Sequence, residues 1–463
     1  MIKLAIWAAD RRVGTLAYDP AGTLFDFSYA EEWEHWPGTF PLSPQMHMAP
    51  RLLSQASGPA RFGDLSPETR SAIARAFFQN LMPEGQALDV AAQANGLSKA
   101  NLAGLLVALG TETAGALSVS LADASTPPRI DIGRSTLRPL PPAELSERIR
   151  GRLQTPFSVW DGKVRLSIAG LQDKIAVFED DNEFFLANGG DFASTVILKP
   201  APLDPRFGEL PAIEHVCMHL AAAVGIPAAK TRLLHVPEPV LLVQRFDRRR
   251  SADGRVERLH IIDACQALGL TPELKYERAY GDQDAVKHLR DGASMQQLFG
   301  LAAIGTSPLE MQSQLLDRVI FNVLIGNTDA HGKNWSFFIE RHPGLLRLAP
   351  AYDLVDVEAV ADEHMSTSFA MGIGDAFHLD ELGAFQWASM ALECALAPRQ
   401  LATRIRALST RLPKALKDSR PMLEEQGVPP ALLDATAARL QHRCEFIAKH
   451  ASLIPQVSPE DLM

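Results

Sequence analysis

Five prolines, Pro127, Pro128, Pro139, Pro141 and Pro142, fall between Asp123 and Pro142. Neither a helix nor a central strand runs through such a stretch, because each proline lacks an N–H and fixes φ. The chain therefore folds as separate pieces on either side, and 125–142 reads as a linker. Upstream, Ile2 to Phe27 alternates apolar and polar residues, with turns at Asp10-Arg11-Arg12 and Asp19-Pro20-Ala21-Gly22, which predicts a small sheet. From Pro67 to Leu109 the spacing turns helical, as in Ile73, Phe77 and Leu81, until Gly110 to Gly115 breaks it and Ala116 to Leu121 returns to a strand. Downstream, Lys163 to Phe178, Glu183 to Leu186 and Thr195 to Lys199 are expected strands and Pro211 to Val224 an expected helix. Arg232 to Val236 and Val240 to Gln244 flank Pro237-Glu238-Pro239 as a hairpin. Beyond Asp247 the pattern is mostly helical, with Leu316, Val319, Ile320, Val323 and Leu324 on one face. A sheet-rich lobe followed by a helical lobe is a two-lobed α+β architecture.

A chain of 463 residues has room for two or three domains. Forty-five basic against fifty-five acidic side chains give a net charge of −10, which disfavours independent, non-specific binding to nucleic acid or to an anionic membrane. Cys217, Cys265, Cys394 and Cys444 lie far apart, without disulfide or CxxC spacing, so a reducing cytoplasm is the expected compartment. No apolar run reaches the ~18 to 20 residues of a spanning helix, so neither secretion nor membrane insertion is expected.

The densest polar cluster, Gly326-Asn327-Thr328-Asp329-Ala330-His331-Gly332-Lys333-Asn334, follows the apolar helix and precedes a strand-like run from Trp335 to Ile339. Phosphoryl transfer needs a carboxylate at the acceptor hydroxyl and, nearby, a neutral oxygen ligand for magnesium, and Asp329 with Asn334 five residues on has the spacing kinases use. Asp353, in Leu348-Ala349-Pro350-Ala351-Tyr352-Asp353-Leu354, would be the principal metal ligand, since Mg²⁺ takes a few hard oxygens together with substrate phosphates. Each aspartate alone reads more readily as a turn or cap residue; the ordered set favours chemistry. His331 either bonds backbone or orients the loop and touches a phosphate, and without further His or Cys at ligand spacing zinc is not expected. Lys199 breaks an apolar strand, which suits a cation for ATP phosphates with Glu214 as its candidate partner, or a strand-end lysine reaching water. Leu166 to Lys174 makes a small-residue turn that could bring N–H groups to phosphates, or an ordinary hairpin. Val243 to Asp247 falls where the lobes should join, a place for backbone contacts to adenine, and Arg248-Arg249-Arg250 reads as a solvated basic face.

The ordered set SIAGLQDK, TVILKP, VQRFDR, NTDAHGKN and APAYDL resembles the HipA family of bacterial toxin kinases. The likeness extends to the first domain, through Ile6-Trp7, Arg12-Val13-Gly14 and Leu16, then Phe78 to Glu84 and Gly115-Ala116-Leu117. The resemblance implies a two-lobed protein-kinase-like fold with a sheet-rich N-lobe, an all-helical C-lobe and a small N-terminal α/β subdomain. Its divisions would be residues 1–124 for that subdomain, 125–142 for the linker, 143–246 for the N-lobe and 247–463 for the C-lobe. It further implies an ATP- and Mg²⁺-dependent serine/threonine-protein kinase that, freed from a helix-turn-helix (HipB-like) antitoxin, phosphorylates an aminoacyl-tRNA synthetase and arrests growth. Operator DNA would be met only through the antitoxin.

By motif position, Asp329 would accept the proton, Asn334 and Asp353 would bind magnesium, and Lys199 would bind phosphate. Ala169, Gly170, Leu171, Gln172, Asp173 and Lys174, the junction Gln244, Arg245 and Phe246, then His331, Gly332, Lys333, Asn334, Tyr352 and Asp353 would complete the nucleotide site. Ser167 falls at the family's autophosphorylation position, where a phosphate beside the triphosphate would expel the loop by like-charge repulsion. Gln244 stands where the best-studied members have Glu. A small-molecule kinase and a non-catalytic co-repressor scaffold are the alternative readings.

Overall fold

The computed structural model describes residues 2–19, 24–48, 61–124, 137–161, 163–165, 172–187, 192–341, 344–361 and 365–462. The chain divides into two compact units. The first holds residues 1–200, 234–272 and 337–345; the second holds 201–233, 273–336 and 346–463.

The first unit opens with β1 (Ile2–Ala8), β2 (Arg11–Tyr18) and β3 (Phe25–Tyr29), followed by the helices α1 (Pro67–Gln79), α2 (Gly85–Ala94) and α3 (Leu102–Leu109), and then β4 (Leu117–Leu121). The four strands form one sheet in the order β3-β2-β1-β4, with Ile6 opposite Gly14 on one side and Val119 on the other. Helix α1 starts where Ser66 accepts a hydrogen bond from the Thr69 N–H and Pro67 takes the first turn, the usual economy of a capped N-terminus. The single helical stretch expected over Pro67 to Leu109 is three helices. Non-helical segments at residues 80–84 and 95–101 separate them.

The described residues resume at β5 (Leu137–Pro139), inside the proline-rich interval, and α4 (Pro142–Arg150) follows. Residues 125–136 of the expected linker lie outside the described residues. A second, six-stranded sheet contains β6 (Ile175–Asp180), β7 (Glu183–Ala187), β8 (Val196–Pro200) and β9 (Pro239–Gln244), five of its strands running in the order β9-β8-β6-β7-β5 with Thr231–His235 next to β9. Pro139 is tolerated because β5 is an edge strand. Of the strand expected over Lys163 to Phe178, Lys163–Val164 pairs with Val159–Trp160 as a short strand, residues 166–171 lie outside the described residues, and β6 starts at Ile175. Leu140, Leu145, Ile149, Phe157, Trp160, Ile175, Val177, Leu198 and Leu242 pack as one core between α4 and this sheet. Burying each such side chain stabilises the fold by roughly 1.5–3 kcal/mol.

The second unit contains α5 (Leu210–Ala223), α6 (Pro308–Ile325), α7 (Ala384–Glu393), α8 (Pro398–Glu425) and α9 (Pro430–Ala451). Short strands interrupt the helical stretch after Asp247, among them Ser336–Ile339 and Leu346–Leu348. In α6, Leu315, Leu316, Val319, Ile320, Phe321, Val323 and Leu324 are buried, so the helix runs through the core of its unit and delivers its C-terminus, with the polar loop beyond, to a fixed place. Among the described residues, no helix is long and apolar enough to cross a membrane, and the four cysteines are buried and unbridged.

Candidate active site

Gly326 ends α6 in the left-handed conformation, with φ +76°. A side chain there is excluded twice: the backbone disfavours it, and a Cβ would lie 2.5 Å from the Arg443 guanidinium. Arg443, on α9, donates to the Ile325 carbonyl at 2.9 Å and to Asp356 at 2.7 Å, and Arg439 donates to the other Asp356 oxygen at 2.7 Å. The root of the loop is thereby fastened to a second helix.

Beyond Gly326 the loop is closed by its own hydrogen bonds. The Asn327 N–H donates to the Asn322 carbonyl, the His331 N–H to the Asp329 carbonyl and the Asn334 N–H to the His331 carbonyl, each at 2.8 Å. The Asn334 side-chain amide also donates to the Asp329 carbonyl at 2.8 Å. Both residues singled out by their five-residue spacing are thus held together. With its nitrogen so engaged, Asn334 keeps Oδ1 as an acceptor that takes no hydrogen bond among the described residues. Asn327, Thr328, Ala330, His331, Gly332 and Lys333 are buried, whereas Asp329 is exposed. Eleven consecutive buried residues, Arg318 to Thr328, precede that carboxylate, so the fold presents it to solvent.

His331 is buried, and burial, reinforced by repulsion from Lys275 and Lys333, pushes its imidazole down to about 3 despite the nearby Asp353 carboxylate. It is neutral near pH 7, which suits orienting the loop rather than meeting a phosphate as a cation. Tyr352 donates to the Lys333 carbonyl at 2.6 Å and lies 2.7 Å from the Ser336 hydroxyl. Asp353, next to it, has φ +55°. A left-handed non-glycine residue costs about 1–2 kcal/mol, and such strain concentrates at functional sites. Two hard oxygen donors, Asn334 Oδ1 and the Asp353 carboxylate, suit magnesium better than zinc.

Two residues of this site gave no signal in the sequence. The Tyr276 hydroxyl donates to Asp329 Oδ1 at 2.7 Å, and the Lys275 carbonyl accepts from the Gly332 N–H at 2.9 Å. They stand more than fifty residues before the loop in a segment with neither periodicity nor motif spacing.

The remaining sequence-predicted residues divide between the units. Lys199 lies in the first, on the interior strand β8 opposite Leu241, and is 6% exposed; Glu214, on α5 of the second, is 1% exposed. Gln172 donates to the Pro200 carbonyl at 3.4 Å, Asp173 faces Arg152 at 3.8 Å, and Lys174 is buried. Ser167, Ala169, Gly170 and Leu171 lie outside the described residues. Gln244 is exposed at the end of β9, and the Phe246 ring meets Phe338 edge-on at 6.0 Å.

The reading of Arg248-Arg249-Arg250 as one solvated face is corrected: Arg249 and Arg250 are exposed, but Arg248 is buried. Asp247 accepts from Arg248 at 2.7 Å, from both Nε and Nη2 of Arg245 at 3.0 and 2.7 Å, and from the Gly115 N–H at 2.9 Å. A buried carboxylate between them supplies what solvent would otherwise supply. The Arg245 guanidinium is committed to this cluster and to Ser194, and its N–H to the Thr195 carbonyl.

A family model described as the HipA-like C-terminal domain matches residues 166–416, and the HipA N-terminal domain matches 4–120. The serine/threonine-protein kinase toxin HipA of Shewanella oneidensis is 32% identical over 97% of this chain and 95% of its own length. The putative kinase Y4mE of Sinorhizobium fredii is 34% identical over 97% and 98%. Among solved structures, HipA in the Shewanella oneidensis complex of HipA, HipB and operator DNA superposes with a TM-score of 0.81, covering 98% of this chain and all of that one at 32% identity. With both family models in chain order, full-length relatives and a full-length structural match, the chain belongs to the HipA family of serine/threonine-protein kinases.

Proposed function

We propose that this kinase is a growth-arresting toxin that transfers the γ-phosphoryl group of ATP to a serine or threonine of a protein, an aminoacyl-tRNA synthetase by family likeness, and to its own Ser167. The observation that carries the reading is the loop in which an exposed Asp329 and Asn334 are tied by the 2.8 Å amide-to-carbonyl bond. Asp329 orients the acceptor hydroxyl and takes its proton as the oxygen bonds to the γ-phosphorus and the bond to the bridging oxygen breaks, releasing ADP. Lys199 holds the phosphates, backbone groups at Gln244 to Phe246 meet the adenine, and Ala169 to Lys174 complete the nucleotide site. Asn334 and Asp353 would hold Mg²⁺, which when bound neutralises phosphate charge. Catalysis then comes from positioning and charge stabilisation, with no covalent intermediate on the enzyme.

The regulation proposed is a helix-turn-helix antitoxin that neutralises the kinase in the cytoplasm, with operator DNA contacted through that complex. The relative solved with HipB and operator DNA supports this reading. The test is intact-mass analysis after incubation with ATP and Mg²⁺, comparing the wild type with Asp329→Asn and Ser167→Ala. One phosphate mapped to Ser167 in the wild type and absent from both variants is expected. A wild type that neither gains phosphate nor consumes ATP contradicts the proposal.

A further inference from the structure

We infer that Tyr276 is a positioning residue for phosphoryl transfer, holding the Asp329 carboxylate in the orientation that receives the acceptor hydroxyl; the inference rests on Asp329 being the proton acceptor. An exposed aspartate on a loop has three staggered χ1 wells open to it, and only some of them aim its oxygens at an incoming hydroxyl. The Tyr276 hydroxyl donates to Asp329 Oδ1 at 2.7 Å, the separation of a bond strengthened by the carboxylate charge. A carboxylate offers about four lone-pair sites, and this bond takes one of them while restricting the rotation of the side chain.

Tyr276 is able to do this because the backbone around it is pinned. On one side the Lys275 carbonyl accepts from the Gly332 N–H at 2.9 Å, so one pin is the catalytic loop itself. On the other, the Glu277 N–H donates to the Ala370 carbonyl at 2.9 Å. The buried Glu277 carboxylate accepts from Arg290 Nε at 2.5 Å and from the Gly372 N–H at 2.6 Å. The phenol ring stands edge-on to the His331 imidazole, centroids 5.1 Å apart. A segment built to swing out of the acceptor's way would be loosely held; this one is fastened on three sides, which suits a strut.

The test is steady-state ADP release by the full chain with ATP varied at excess Mg²⁺. Tyr276→Phe, which removes only the hydroxyl, is expected to lower kcat about tenfold with KM for ATP within twofold and the urea unfolding midpoint unchanged. In the Asp329→Asn background the same change is expected to have no further effect, because its target is gone. An unchanged or raised kcat in Tyr276→Phe overturns the inference, the raised value meaning that the phenol blocks the acceptor. A loss confined to Tyr276→Ala also overturns it, since ring packing would then be what matters. If Asp329→Asn itself turns over normally, the assignment of the proton acceptor has failed, a result that the Tyr276 variants alone would not give.

Discussion

Two aspartates, one in each unit, show how the same side chain becomes structure or chemistry. Asp247 is 4% exposed and spends its oxygens on two guanidinium groups and the Gly115 N–H. Beside it, Arg258 donates to the carbonyls of Thr111, Thr113, Gly115 and Leu117, so the cluster sews the Thr111 to Leu117 turn of the first domain to the end of β9. Burial alone would raise the Asp247 carboxyl, but Arg245 and Arg248 hold it well below the usual carboxylate range. Asp329 stands on an equally well-bonded loop yet is exposed, with Oδ1 accepting from the Tyr276 hydroxyl at 2.7 Å. What separates them is burial: a carboxylate enclosed among buried arginines is spent on the fold, and one presented to solvent is accessible to a substrate.

The sharpest way to break this contrast is to neutralise both. Asp329→Asn is expected to lower phosphoryl transfer about a thousandfold, within the range for removing a positioned acid–base group, while leaving unfolding in urea essentially unchanged. Asp247→Asn is expected to do the reverse. Removing one partner of a buried ionic cluster leaves uncompensated charge and costs about 3–5 kcal/mol, read as a lower urea midpoint. At saturating ATP its folded fraction should turn over near the wild-type rate.

A smaller effect sharpens the comparison through pH. His260 of the first unit is buried, stacked on Phe40 with centroids 4.6 Å apart, and its Nε2 donates to the Leu42 carbonyl at 3.0 Å. Burial pushes its imidazole down to about 4. Because the folded state resists a proton that the unfolded chain takes up near 6.5, stability falls as pH drops from 6.5 through 4, by up to about 3 kcal/mol. His260→Gln is expected to flatten that limb in urea titrations across pH 7 to 4. The aspartate effect has the same direction but lies lower, since Asp247 stabilises the fold above the usual carboxylate range and loses its contribution only below it.

Much of the candidate site was legible because it is local in the chain. Asp329 and Asn334 sit five residues apart after an apolar helix, and a lysine inside an apolar strand run is visible without coordinates. The strands and helices around them followed from periodicity, with errors where turn chemistry divides one helical stretch into three. What was not legible is long-range. Tyr276 reaches Asp329 across 53 residues and Arg443 reaches Ile325 across 118. Arg248 looks like its exposed neighbours in sequence, because the carbonyls that accept from it belong to Thr113 and Gly115, more than 130 residues earlier. Local pattern carries no record of such partners.

The most direct test is turnover per folded molecule, measured as ADP release at saturating ATP and Mg²⁺ and normalised to the folded fraction, for Asp329→Asn and Asp247→Asn side by side. The account expects the first to fall about a thousandfold while the second stays within a few-fold of wild type. Turnover by Asp329→Asn above a tenth of the wild-type rate would contradict it.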